Sequence, residues 1–329
     1  MSVTRVAIVQ KPTAVLDLAE GVRRAVGHIE DCAAQGAQLV VFPESWLTGY
    51  PSWVFGMAGW DDANARLWYR RFVDQCPTQD STELQPIREA ANAAGVLVSL
   101  GFNERADARA GSVFNSILLI GDTGQTLNLH RKLTPTHTER NIWAQGDAAG
   151  LRVVSTNIGE IGGLVCWEHW HPLARQALHA QNEQIHLALW PDMPEAHALA
   201  ARHYAFEGRC FVAAAAHYLT VDDVPEELLE GYATGLDPNC RASNVLFRGG
   251  SGFVGPNGEW LKPQLFDEPG LIIADLDLGE TVGYKHDLDV AGHYSRNDIF
   301  QLSVDRAPRR SVNLSDGAET RPGSSERAS

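Results

Sequence analysis

Gly162-Gly163-Leu164-Val165-Cys166, followed at once by Trp167-Glu168-His169-Trp170-His171-Pro172, decides how this chain is read. The first five residues close a short apolar run of the kind a buried strand needs, and from Trp167 the pattern turns helical. A cysteine at such a junction has backbone N–H groups and a helix start beside its sulfur. Both favour the thiolate, the nucleophilic form of a group whose free pKa is about 8.5. Two other junctions have the same form. Leu39-Val40-Val41-Phe42 runs into Pro43-Glu44, and Thr126-Leu127-Asn128-Leu129-His130-Arg131 runs into Lys132. A carboxylate, an ammonium and a thiol, each at the C-terminal end of its own strand, can converge on one crevice.

The rest of the chain supports an α/β architecture. Val6–Val9 reads as a buried strand, and Val22, Val26, Ile29 and Ala33 follow at helical spacing behind the N-cap candidate Asp17. Residues 45–58, rich in Gly, Pro and aromatics, read as a functional loop. Leu84, Ile87, Ala91 and Ala94 form a second helical stripe stopped by Gly95. Strands are expected at 96–100, 113–120, 151–157, 160–166, 185–190, 211–216 and 271–276, with helices at 172–181 and about 195–209. A polar insertion occupies 220–240, and a hairpin turns at Pro256-Asn257-Gly258. Strands and helices alternate in the first half, while later strands follow one another directly, which implies mixed sheet packed by helices. The pattern alone leaves open whether there is one sheet or two. From about Ala307 onward Pro, Arg, Ser, Gly and Glu dominate, so residues 306–329 read as a disordered tail or interaction arm beyond a 1–305 domain.

With 44% hydrophobic content over 329 residues, the chain can bury a large core. A formal net charge of −14 argues against nucleic acid or an anionic membrane as partner. Five cysteines, at 32, 76, 166, 210 and 240, are odd in number and widely spaced, which suits a reducing compartment. With no charged-then-apolar leader and no long apolar run, a cytoplasmic location is expected.

Taken together, the local strings resemble the nitrilase superfamily of carbon–nitrogen hydrolases. Phe42-Pro43-Glu44 with Gly49-Tyr50-Pro51 is similar to its glutamate motif, and His130-Arg131-Lys132-Leu133 to its lysine motif. Glu139-Arg140 with Trp143 and Gly146-Asp147 resembles the segment carrying a second active-site glutamate. Cys166-Trp167-Glu168-His169 has the form of the true nitrilase branch, where amidase branches more often have Cys-Tyr-Asp, and Gly292-His293-Tyr294-Ser295-Arg296 matches a late element. Ala144 and Asn297 are small departures. The resemblance covers roughly residues 3–300. It implies a four-layer α-β-β-α sandwich, a Glu44–Lys132–Cys166 triad supported by Glu139, no cofactor, and homodimers extending into spirals or filaments. The activity implied is conversion of an organic nitrile and two waters to a carboxylic acid and ammonia. An amidase or carbamoylase, a cyanide hydratase, and a non-catalytic scaffold are the competing readings.

Plainer readings compete residue by residue. A free cysteine is usually a small buried hydrophobe, and Cys32, Cys76, Cys210 and Cys240 are assigned to that class. Glu44 alone could be a cap and Lys132 alone a solvated strand end; the coincidence of all three junctions selects the catalytic reading. Cys166, His169 and His171 are spaced too tightly for a zinc site, so no metal is expected, and His169 is read as packing or hydrogen-bonding behind the nucleophile. Gly249-Gly250-Ser251-Gly252 lacks the helix and Lys-Ser/Thr pair of a phosphate loop and reads as a bulge. Trp53, Trp143, Trp167 and Trp190 each adjoin a motif or a strand end, and would wall a crevice suited to aryl or arylalkyl groups.

Overall fold

The computed structural model describes residues 3–57, 59–233 and 244–309. Among these, the strands form two mixed sheets. The first runs β13 (Gly270–Asp277), β1 (Val3–Gln10), β2 (Leu39–Val41), β3 (Leu97–Arg105), β4 (Val113–Ile120) and β5 (Thr126–Arg131) in that order. The second runs β10 (Tyr218–Thr220), β11 (Val245–Val254), β9 (Phe211–Ala215), β8 (Ile185–Leu189), β7 (Gly159–Val165) and β6 (Val154–Thr156), with β12 (Leu265–Phe266) also pairing with β11. In each sheet the three central strands are parallel and the outer pairings antiparallel. Parallel strands are covered on both faces, which is why β2 and β8 are buried apolar runs without alternation.

Two apolar layers flank the first sheet. On one face Ala7, Val9, Val40, Val98 and Leu100 pack against Val22, Ala25 and Ile29 of α1 (Leu18–Ala34) and Ile87 and Ala91 of α3 (Gln85–Ala94). On the other, Val6, Ile8, Leu39, Val41, Ile117 and Leu119 join Ile161, Leu164, Leu187 and Ala213 of the second sheet. Asp17 caps α1 by accepting from the Glu20 N–H, and Gly95, at φ 65°, closes α3 in the left-handed conformation that glycine allows. Behind the second sheet lie α4 (Pro172–His179) and α5 (Glu195–Gly208), whose Ala201, Tyr204 and Ala205 are fully buried.

Three helices escape the sequence reading, the last of them short and near the end of the described chain. The segment before the second stripe contains α2 (Ala63–Asp74), and the polar insertion contains α6 (Glu226–Ala233). Both are held by a separate cluster, in which Trp53, Trp68, Phe72, Leu228 and Tyr232 pack together. The second half of the insertion, including Cys240, and the tail from 310 lie outside the described residues. The Gly249–Gly250 pair sits at a register shift in β11 where β12 pairs with it. A last short helix, α7 (Gly279–Tyr284), follows β13. No described helix is long and apolar enough to cross a membrane.

Candidate active site

Glu44, Lys132 and Cys166 lie just beyond the ends of β2, β5 and β7, so the first sheet supplies two of the groups and the second sheet the third. Each junction is shaped by a close approach. Gly101 of β3 lies beneath the glutamate turn; a Cβ there would come within 1.9 Å of the Pro43 carbonyl oxygen, so only glycine lets the turn settle on the sheet. Gly146 plays the same part for the lysine strand, since a Cβ there would meet the Arg131 carbonyl at 2.2 Å, and its N–H bonds the Lys132 carbonyl at 2.9 Å. Cys166 itself sits in the left-handed region, at φ 52°. A residue with a Cβ held there stores strain, a device that recurs where a nucleophile must stand clear of its strand.

The four candidate groups are all buried. Lys132 Nζ donates to Glu44 Oε1 at 3.1 Å and to Glu139 Oε2 at 2.8 Å. The two carboxylates differ in what holds them. Glu139 takes Lys132 and the Thr136 N–H, at 2.6 Å, on one oxygen and the Tyr50 hydroxyl, at 2.6 Å, on the other. Glu44 receives Lys132 and Asn115 Nδ2, at 2.6 Å, on Oε1 alone, and its Oε2 is buried with no protein hydrogen-bond partner. Burial pushes the Glu44 carboxyl up to about 7, against the pull of Lys132 and with a further push from Glu139. Burial also acts against the Lys132 ammonium, but Glu44, Cys166 and Glu139 outweigh it and hold its pKa above the ordinary lysine value.

The thiol requires a correction. Burial, and after it the negative charge of Glu44, push Cys166 well above the ordinary thiol range, with Lys132 opposing. The expected helix is only a five-residue 3-10 turn, Cys166–Trp170, before α4 begins at Pro172. So short a turn adds little dipole, and burial outweighs it. These surroundings favour the protonated thiol over the thiolate.

Several residues that the motifs did not assign hold this arrangement. Glu168 accepts the Val165 N–H and the Leu133 N–H, each at 2.8 Å, and pairs with His130 Nε2 at 3.0 Å. It therefore pins the cysteine turn of one sheet to the lysine strand of the other. His217 Nε2 donates to the Glu44 backbone carbonyl, and burial lowers its pKa to about 4, which keeps the ring neutral. Behind Cys166, His169 Nδ1 bonds the Cys166 carbonyl oxygen at 2.7 Å and its Nε2 meets His186 Nε2 at 2.9 Å. With both ring nitrogens engaged, His169 has none left for a metal, and no described group of three or more His, Cys, Asp or Glu side chains is placed to hold one.

The carbon–nitrogen hydrolase family matches residues 5–286 of the sequence. The chain belongs to this family. It is 37% identical over 321 residues to the arylacetone-specific nitrilase of Alcaligenes faecalis, covering 93% of this chain and 86% of that one. It is 35% identical over 328 residues to the arylacetonitrilase of Aspergillus oryzae, covering 94% of both. Among solved structures, the carbon–nitrogen hydrolase of Helicobacter pylori G27 superposes with a TM-score of 0.68 at 17% identity, over 91% of this chain and 97% of that one. An amidase of the nitrilase superfamily from Nesterenkonia gives 0.62 at 20%, over 87% and 96%. At such identities these two structures speak for the fold.

Within this hydrolase the four tryptophans occupy different places. Trp143 lies beside the lysine, its ring centre 5.6 Å from Lys132 Nζ, and its indole donates to Asn103 Oδ1 at 3.1 Å. Trp190 is fully buried and stacks on the rings of His169 and His197, at 4.6 and 4.5 Å. Trp53 is buried against Trp68 and Phe72 and borders a 660 Å³ surface cavity. Trp167 is half exposed and borders a 260 Å³ cavity with Leu133, Pro135, Thr136, Arg140 and Trp170. That smaller cavity is framed by the segments that follow Lys132, lead to Glu139 and follow Cys166.

Proposed function

We propose that this carbon–nitrogen hydrolase is a nitrilase, with Cys166 as nucleophile, Glu44 as general base, Lys132 as electrostatic stabiliser and Glu139 as the anchor of Lys132. The observation that carries the assignment is the unequal bonding of the two glutamates. Both oxygens of Glu139 are committed, whereas Glu44 keeps one oxygen unpartnered and a pKa near neutrality. Glu44 takes the Cys166 proton as sulfur attacks the nitrile carbon and returns it to the nitrile nitrogen, giving a thioimidate. Glu44 then activates a water, and the tetrahedral species that forms carries charge beside the Lys132 ammonium. Ammonia leaves, a thioester remains, and a second water releases the carboxylic acid.

Aromatic or arylaliphatic nitriles are the substrates this reading favours. Its support is the set of aromatic side chains near the site, Trp143, Trp167 and Tyr50, and the arylacetone-specific and arylacetonitrile-named relatives. The architecture is read as one four-layer α-β-β-α domain over residues 1–305, supported by the helices against the outer faces of the two sheets and by the return of β13 to pair with β1. Homodimers that extend into spirals are supported by the half-exposed Leu173, Tyr294, Ile299 and Phe300 along the groove between α4 and the segment after α7. A cytoplasmic location is supported by the four described cysteines, all buried free thiols. The deciding experiment measures ammonia from aliphatic, aromatic and arylacetonitrile substrates, with the matching amides alongside. Ammonia and acid from a nitrile, at a rate exceeding that from its amide, is the expected result; activity confined to amides would move the protein to the amidase reading.

A further inference from the structure

The imidazole of His197, the third residue of α5, makes contacts in two directions that end on either side of the nucleophile. Its ring stacks on Trp190 at 4.5 Å and 22°, and Trp190 stacks in turn on His169 at 4.6 Å and 26°. His169 in turn bonds the Cys166 carbonyl. The edge of His197 reaches the residue after the cysteine, since Trp167 Nε1 donates to His197 Nε2 at 2.9 Å. The other ring nitrogen, Nδ1, lies 3.0 Å from the Asp192 carbonyl oxygen and 3.1 Å from its carboxylate. Both of those atoms only accept, so Nδ1 carries the proton and Nε2 is left as the acceptor that the indole needs.

We infer that His197 is a specificity-determining positioning residue: by fixing the Trp167 indole through Nε2 it sets one wall of the cavity that admits the nitrile's organic group. This rests on the nitrilase reading given above. An indole half in solvent would otherwise sample several rotamers. The His197 bond selects one of them, and it does so from a ring that is 7% exposed and wedged by Trp190, Asp192 and the start of α5. A latch of this kind acts on the organic group while the reacting carbon is handled by Cys166, Glu44 and Lys132. Its loss therefore redistributes preference among substrates.

The test compares kcat/KM for phenylacetonitrile and a short aliphatic nitrile in the full chain at about pH 9, because burial of the His197 imidazole is outweighed by Asp192 beside Nδ1, which holds its pKa above the ordinary range. His197→Phe keeps a ring to stack on Trp190 but offers no acceptor, and Trp167→Phe keeps the aromatic wall but offers no donor. Each is expected to change the ratio of the two kcat/KM values by ~10-fold, the scale of a single pocket contact. His197→Gln, which retains an acceptor oxygen, is expected to recover part of that ratio. His197→Phe added to Trp167→Phe is expected to change it no further. In protein labelled with 15N-tryptophan, the Trp167 indole N–H resonance, assigned by its loss in Trp167→Phe, is expected to move in His197→Phe. An unmoved resonance, an unchanged ratio in both single variants, or fully additive effects would each overturn the latch. Should His197→Phe not fold, Trp167→Phe and His197→Gln carry the same ratio test. Wild-type protein that released no ammonia from any nitrile would refute the nitrilase reading instead, and the resonance would still decide the latch.

Discussion

Replacing Glu44 by Gln should make this protein more stable and nearly inert. With both glutamates ionised, the buried site holds two carboxylates against one ammonium; burial first, and Glu139 after it, raise the Glu44 pKa from 4.5 to about 7 in spite of Lys132. A carboxyl whose folded pKa lies above its unfolded value binds its proton more tightly in the native state. Stability therefore falls as pH rises from the unfolded pKa through about 7, and the full penalty is present above that. The shift corresponds to a penalty on the order of 3 kcal/mol. Glutamine has nearly the same shape, can still accept from Asn115 and Lys132 through its carbonyl, and leaves Lys132 paired one-to-one with Glu139. Urea unfolding should thus show Glu44→Gln gaining up to roughly 3 kcal/mol at about pH 8 and little at about pH 4.5. A general base contributes ~10²–10⁴-fold, about 3–5 kcal/mol of barrier, so kcat should fall by that factor. The wild-type rate should decline as pH drops through about 7, where Glu44 gains its proton, and this limb should vanish in the variant. A variant that retained more than about a tenth of the activity, or kept the same acid limb, would refute the assignment of Glu44 as base.

Four further outcomes are expected. Cys166→Ala should abolish turnover with the fold intact, and mass spectrometry of wild type quenched during turnover should find an adduct at this cysteine and at none of Cys32, Cys76 and Cys210, which are as buried but have no Glu44–Lys132 pair acting on them. Tyr50→Phe removes a donor 2.6 Å from Glu139; a hydrogen bond to a charged group contributes about 1.5–3 kcal/mol, so kcat should drop at least ~10-fold with KM little changed. Trp143→Ala should shift the ranking of aromatic over aliphatic nitriles and the fraction released as amide, read by chromatography of products; unchanged profiles would sink the aromatic wall at that position. Light scattering should report a mass well above that of the 35.9 kDa chain, and a stable monomer would contradict assembly through the Leu173–Phe300 groove.

The sequence disclosed the junctions better than their chemistry. Strand ends at Val41, Arg131 and Val165 are marked by apolar runs that stop abruptly, and that signal is local. The protonation state of Cys166 is not local. It depends on how deeply Glu44 and Glu139 are buried beside it, which no string of neighbours records. Asn115 and Asn103 interrupt apolar strands, and a polar residue at an inward position was an available clue to a site partner. Tyr50 was visible within a motif but carried no assigned role. For Glu168 and His217 the informative partners lie 35 and 173 residues away in sequence. The helix at 63–74 was legible, since Ala65, Trp68, Tyr69, Phe72 and Val73 fall at helical spacing, whereas the eight residues at 226–233 are too few for a period to show; both pack in a cluster apart from the main core.

The division of the site between the sheets bears on how the molecule comes to be made. By the time a growing chain has released Cys166, every proposed reacting group has been synthesised, yet β8, β9 and β11 of the second sheet and β13 of the first are still to come. The thiol meets the Glu44–Lys132 pair only once the sheets have docked, a contact that Glu168 locks by gripping a main-chain N–H from each side. Turnover is thus a gauge of completed assembly. A nascent or half-folded chain carries an ordinary cysteine, and the proposed nucleophile comes into being with the last strands.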